Sequence, residues 1–411
     1  MGKTPIPPPR RRDYGLAMTY APADRDYLDA DSHIMELPNF LIDYADPDVR
    51  AELRPVSYSA SLVTDEEVET ILTQGGHHSP QHVEAQIALG DRLIAESKEI
   101  QALGAFDSAD RTTALDMLGF KRQLVFATHS VKPVFHPSTN MSPRLRYGAT
   151  RAHNRAMRDF CANDPRLMGV GVVPFHDIEH ALVELDWALD AGLEAIWVPH
   201  GLVADRSPGH VDLYPFWARL EESGTPFVLH IGGAPLQLDP GWANTGRPPA
   251  RDWMGGGENI RSKDMAVLHQ GPETFLSMLM MDGVFEKFPG LRGASVELGA
   301  GWVPAMLTRL DMVVRSWSKV DQYLAAIDRT ATETFREQMA FTPYVFEDIG
   351  NLIDQSHDDL YLFSSDYPHV EGGSDPIGRF ESSLGARPAI ARNRFYSENF
   401  LRLFPGTRPG R

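Results

Sequence analysis

Residues 27–37 read YLDADSHIMEL, and within that span stand Asp29, Asp31, His33 and Glu36. Four groups that resist burial, set directly behind a strand-like apolar entry, are the ligand types of a divalent cation held at the open end of a β-strand. The same signature recurs far along the chain. His200 follows EAIWVP, His230 follows PFVL, Glu297 follows RGASV and Asp366 follows LYLFSS. Parallel strands in an α/β barrel open their carboxyl ends onto one face, so groups hundreds of positions apart would converge there. An imidazole or carboxylate at one strand end is commonly an ordinary hydrogen-bonding residue; five such ends together point to a metal site.

Not every polar residue in these runs can serve. Asp29 shares a strand face with Asp31 and His33, and one of the three must lie too far from the opening, so Asp29 is assigned a structural role. Glu36 is open to three readings: ligand to a second ion, partner of His33, or cap of the following segment. His129, beyond RQLVFAT, faces the same mouth or sits in a turn. His369, in SSDYPHVEGG, orients substrate, binds metal, or is a turn residue fixed by Pro368. His77, His78, His82 and His136 fall in presumed insertions and receive no role.

The elements that must position these groups follow from periodicity. Seven β-rich runs are clear, ending at Asp31, His129, Phe175, His200, Gly233, Leu298 and Asp366; an eighth, weaker one spans Tyr344 to Asp348. Between them DIEHALVELDWALDAG and LYPFWARLEESG carry apolar residues at three- and four-residue intervals and close on Gly192 and Gly224. This alternation predicts an α/β fold, a (β/α)8 TIM barrel with insertions after the first and fifth strands; a doubly wound sheet would give the same local pattern. The first insertion, about 50–118, opens a helix at the capping box Thr64–Glu67 and continues a second from Gln81 to about Ile100. The second, 234–272, is rich in Gly, Pro and Trp. It carries Trp242, Trp253, Arg251 and Arg261, groups suited to an organic acid or a thioester at the mouth, although exposed arginines are commonly only solvated. Residues 1–24, with three consecutive prolines, are expected to form a disordered or extended arm, and 25–411 the barrel domain.

Composition narrows the chemistry. Lys and Arg number 39 against 56 Asp and Glu, a formal charge of −17, which argues against a nucleic-acid surface and for a small-molecule substrate. The single Cys161 excludes a cysteine-based zinc site, leaving oxygen and imidazole ligands. The amino terminus lacks the apolar core of a secretory signal and no run approaches membrane-spanning length, so no membrane partner and a cytoplasmic location are expected. No phosphate-binding G-x-x-x-x-G-K-[ST] loop, G-x-S-x-G elbow or H-E-x-x-H helix is present.

The pattern of Asp31-x-His33, His230 and SSDYPH with Asp366 resembles the amidohydrolase-related family, in the branch of aminocarboxymuconate semialdehyde decarboxylase and the resorcylate decarboxylases. The resemblance runs from about residue 27 to 402. It implies a metal-dependent (β/α)8 barrel with Asp31, His33, His230 and Asp366 as ligands. One departure stands out: decarboxylases of the family carry a histidine at the end of the sixth strand, where this chain has Glu297 in SVELGAGWVP. A carboxylate there can bind metal or take a proton from water. With Glu297 and either His200 or Glu36 the set is rich enough for one or two ions, and mixed imidazole and carboxylate ligation suits Zn, Mn or Fe.

The resulting expectation is a hydrolase or decarboxylase acting on a small organic acid by metal-activated water or carboxylate polarisation. Glu297 is assigned as base or bridging ligand, with His200 or His369 steadying negative charge. The alternative on the same site is a nonheme diiron monooxygenase hydroxylating a bulky natural-product-type substrate. A barrel that has lost catalysis and serves only binding is the third. Apolar residues on more than one face of GWVPAMLTRLDMVVRSW suggest a subunit contact, and family members are commonly dimeric.

Overall fold

The apolar, β-rich runs come together as one parallel sheet in the computed structural model, which describes residues 19–58, 61–136, 141–235, 238–248 and 260–406. The strands are β1 (Leu28–Asp29), β2 (His33–Ile34), β3 (Arg122–Ala127), β4 (Leu167–Val172), β5 (Ala195–Trp197), β6 (Phe227–Leu229), β7 (Gly293–Ser295) and β8 (Met339–Phe341). They pair in the order β1-β3-β4-β5-β6-β7-β8, with β2 also on β3, and every pairing is parallel. Apart from half-buried Arg122, every strand residue is buried. Strands covered on both faces have no use for the polar alternation of a half-exposed sheet.

Two runs depart from expectation. LYLFSSD is hydrogen-bonded on both sides without becoming a regular strand. On one side the Phe341 amide donates to Leu360 O at 2.8 Å and Leu362 donates back to Phe341 O at 2.9 Å. On the other, Ala30 donates to Phe363 O at 3.0 Å, Asp366 to Asp31 O at 2.9 Å and His33 to Tyr367 O at 2.8 Å. This segment therefore links β8 to β1 and β2. The expected strand at Tyr344–Asp348 is instead a turn, and β8 lies before it. Pro343 has no amide to continue the ladder, and the Glu347 carboxylate gathers the amides of Tyr344, Ala300 and Gly301 at 2.7, 2.9 and 2.7 Å.

The helices follow their sequence punctuation more closely. Ile178–Asp190 starts on Asp177, which accepts from the His180 amide, and Tyr214–Ser223 ends on Gly224 at φ 66°. Thr64 and Glu67 form the full capping box of Asp65–Thr73. The long helix expected from Gln81 is broken into Pro80–Ile87, a 3-10 turn at Gly90–Arg92, Leu93–Glu96 and a second turn at Glu99–Gln101. Gly90 at φ 60° interrupts the helical backbone. This segment is tied to the 366–373 loop: Lys98 Nζ donates to the carbonyls of His369 (3.1 Å) and Gly373 (2.8 Å), and Glu99 accepts from the Val370 amide at 3.1 Å.

Residues 1–18 of the expected arm lie outside the described residues. Its end is held in place, with the amides of Tyr20 and Ala21 donating to Met117 O and Leu118 O, each at 2.9 Å. In the second irregular segment Trp242 is exposed, while Arg251 and Trp253 fall outside the described residues. No helix among the described residues is long and apolar enough to cross a membrane.

Candidate metal centre

Asp29 explains how the ends of distant segments are brought into register. Its carboxylate accepts from the Ser365 amide (2.8 Å) and hydroxyl (2.6 Å), from Gln123 Nε2 (2.7 Å) and from the Asp31 amide (3.2 Å). It thus bolts the first run to the last and to β3, as its assigned structural role requires. Burial pushes its pKa up to about 7, against the pull of Gln123 and Ser365. Ahead of it, the backbone bonds between Asp31, His33 and residues 366–367 carry both pairs of polar side chains to the carboxyl ends of the strands.

Asp31, His33, His230 and Glu297 offer ligand atoms that all lie within 4.8 Å of one another, and so do His33, Asp366 and His369. His33 Nε2 stands 3.3 Å from Asp31 Oδ1, 3.6 Å from Asp366 Oδ1 and 4.0 Å from Glu297 Oε2. His230 Nε2 is 3.4 Å from Asp31 Oδ1 and 3.2 Å from Glu297 Oε2. All are buried. Burial, with His369 next in weight, holds His33 well below an ordinary imidazole, and burial pushes Asp366 up.

The far nitrogens decide what these rings present. His230 Nδ1 lies 2.9 Å from Ile231 O, a group that only accepts, so Nδ1 carries the proton and Nε2 turns a lone pair to the cluster. The Thr128 hydroxyl donates to Ile34 O at 2.8 Å and lies 3.4 Å from His33 Nδ1 and 3.0 Å from His369 Nε2. Its one proton being committed, it accepts from both rings. His33 Nε2 and His369 Nδ1 then also turn lone pairs inward, the latter 3.1 Å from Asp366 Oδ1. Imidazole lone pairs facing carboxylate oxygens at 3.1–4.0 Å repel unless a cation or a proton stands between them. His33 Nε2 and Asp366 Oδ1 make no hydrogen bond among the described residues. This donor set fits a hard or borderline divalent ion.

The other candidates lie around this cluster. His369 stacks on His33 with ring centroids 3.9 Å apart. His200, buried at the end of β5, is outside both ligand groups; burial and then His230 lower its pKa to about 3. Glu36 belongs to neither group either. Its carboxylate accepts from the amides of Thr128, His129 and Ser130 at 2.9–3.1 Å, so the structure makes it a clamp on the turn after β3 in place of a ligand. His129 sits in that turn with its ring edge against Tyr58. His77, His78 and His82 are bonded within the insertion, to Asp107, Ile100 O and Gln101 O. Thr128 and Trp197, whose ring centroid lies 4.8 Å from that of His230, had no signal in the sequence: a threonine at a strand end and a tryptophan in a strand are ordinary.

A profile of the amidohydrolase family matches residues 99–406. The chain belongs to this family. Among curated relatives, the gamma-resorcylate decarboxylase of Rhodococcus jostii (strain RHA1) is 29% identical over 236 residues, covering 53% of this chain and 65% of that protein. The chain thus matches slightly under two thirds of that relative's length. Solved structures of similar fold include an amidohydrolase from Mycobacterium avium subsp. paratuberculosis K-10, at 18% identity and TM-score 0.67, covering 93% of this chain and 99% of that one. A 2,6-dihydroxybenzoate decarboxylase complexed with 2,6-dihydroxybenzoate has 18% identity, TM-score 0.59 and the same coverage. A dihydroxybenzoic acid decarboxylase from Polaromonas sp. JS666, with bound manganese and the inhibitor 2-nitroresorcinol, has 16% identity and TM-score 0.58 over 93% and 97% of the two chains.

Proposed function

We propose that this amidohydrolase-family chain is a metal-dependent lyase or hydrolase, and in its most specific form a decarboxylase of a small aromatic or related organic acid. One observation carries the reading: two buried groups of ligand-type side chains, Asp31, His33, His230 and Glu297 in one and His33, Asp366 and His369 in the other, meet at His33. We read the sheet, closed by residues 360–367, as a (β/α)8 barrel with insertions after its first and fifth strands. The ligands would be Asp31, His33, His230, Asp366 and Glu297, holding one or two ions of Mn, Zn or Fe. The manganese in a related fold supports the first of these.

When bound, the ion would act as a Lewis acid toward a substrate carboxylate, carbonyl or water. The protein's own groups then divide the proton work. In decarboxylation the carbon–carboxylate bond breaks, its electron pair stays on carbon, and that carbon takes up a proton; a proton shared between His369 Nδ1 and Asp366 Oδ1, buried and 3.1 Å apart, would be the one delivered, leaving Asp366 as carboxylate. In hydrolysis Glu297 would receive the proton of the attacking water. His200, neutral beside His230, would orient the substrate without adding charge. Exposed Met312, Trp317, Val320 and Tyr323 support the expected subunit contact.

The test is metal analysis of protein purified without chelator, with carbon dioxide release from 2,6-dihydroxybenzoate measured in air and under nitrogen. Metal-dependent, oxygen-independent release is the expected result. Two irons per chain with oxygen-dependent turnover would identify a diiron monooxygenase instead, a reading to which the relatives lend no support.

A further inference from the structure

Trp197 is the last residue of β5 and is 2% exposed. Its indole Nε1–H, a group that can only donate, is buried with no hydrogen-bond partner among the described residues. Buried tryptophans ordinarily satisfy this proton. Three residues on, His200 is 6% exposed and its Nδ1 is likewise buried and without a partner among the described residues. Both nitrogens face the same place. A Cβ added at Gly233 would lie 2.9 Å from Trp197 Nε1 and 2.8 Å from His200 Nδ1. Gly233 is fixed there, its carbonyl accepting from the His200 amide at 3.2 Å and its amide donating to His230 O at 3.1 Å. Its φ is not left-handed, so glycine is needed at this position for space. The spot borders the ion cluster through His230, whose backbone carbonyl holds Gly233 and whose ring packs against Trp197.

We propose that Trp197 Nε1 and His200 Nδ1 form a substrate subsite, one that takes a single carboxylate or hydroxyl oxygen of the acid over the bare face of Gly233. The inference rests on the reading of the chain as an enzyme of aromatic or related acids. A carboxylate oxygen accepts from both nitrogens, whereas a hydroxyl accepts from the indole and donates to the imidazole. Burial, with His230 next, lowers the His200 pKa to about 3, so the imidazole offers either role without charge. Trp197 and His200 are thus binding residues that set which way the acid enters beside His230.

The experiment uses full-length protein loaded with zinc, a diamagnetic ion, with 2,6-dihydroxybenzoate and resorcinol as probes. Calorimetric Kd values are taken for wild type, Trp197→Phe and Gly233→Ala, and the indole N–H resonance missing from Trp197→Phe is followed by ¹⁵N NMR in wild type. The expected result is a shift of that resonance on ligand addition and about a tenfold weaker Kd in Trp197→Phe, the scale of one hydrogen bond to a charged acceptor. Gly233→Ala, which fills the space, is expected to weaken binding at least as much. Both variants should keep wild-type metal content and circular dichroism. A shift with resorcinol as well assigns the oxygen as a hydroxyl, and a shift with the acid alone assigns it as carboxylate. If wild type binds the acid but the resonance stays still and both variants keep the wild-type Kd, the subsite is wrong and the functional reading stands. If loaded wild type binds neither probe, both fall together.

Discussion

Glu297 and Asp366 hold the same left-handed backbone conformation, φ 54° and 55°, and both carboxylates approach His33 Nε2, at 4.0 and 3.6 Å. Non-glycine residues reach this region at a cost of about 1 kcal/mol or more, and such strain gathers at sites that need a particular side-chain direction. Substituting Glu297→Gly should therefore relieve both the strain and a buried charge. We expect the metal-free variant to melt higher than metal-free wild type while binding manganese at least tenfold more weakly, read by calorimetry and metal titration. A lower melting point, or unchanged affinity, would contradict this.

Asp29 gathers four donors from three segments. Asp29→Ala leaves them buried and unmatched, and we expect a loss of about 3–5 kcal/mol in urea unfolding of the metal-free protein. Asp29→Asn, which keeps an acceptor oxygen, should lose less. Equal losses in the two variants would show that packing, and not this network, joins the first and last segments.

Glu36 separates a clamp from a ligand. Its oxygens hold the amides of residues 128–130. Glu36→Gln should cost about 1–3 kcal/mol in stability and leave metal stoichiometry intact. Loss of an ion in this variant would return Glu36 to the ligand set.

His153 supplies a pH dependence. It is fully buried, and burial lowers its pKa from 6.5 to about 4. Between those values the unfolded chain takes up a proton at this residue that the folded one refuses, so the His153 contribution to stability is level above pH 6.5 and falls as pH drops toward 4. His153 should contribute up to about 3 kcal/mol of that fall. Urea midpoints of wild type and His153→Gln across this window test the sign: the variant should fall less steeply, and parallel curves would contradict the assignment.

Much of this was legible in the sequence, for reasons particular to each residue. Strand ends bearing Asp31, His33, His230, Glu297 and Asp366 were readable because apolar β-rich runs make polar termini conspicuous. Gly192 and Gly224 marked helix ends because their left-handed φ suits glycine. Glu36 could not be read, since its partners are backbone amides some ninety residues away. Pro343, which has no amide for the ladder, leaves the eighth strand at Met339–Phe341, ahead of the Tyr344–Asp348 run expected to form it. Thr128 stayed hidden because orienting two imidazoles takes only an ordinary hydroxyl in the right place.

The most direct test is the metal content of wild type and His230→Ala, loaded alike and dialysed against metal-free buffer, with circular dichroism as the fold control. The account predicts a stoichiometric divalent ion in wild type and its loss from a folded variant. A folded His230→Ala protein that keeps the full wild-type complement would contradict it.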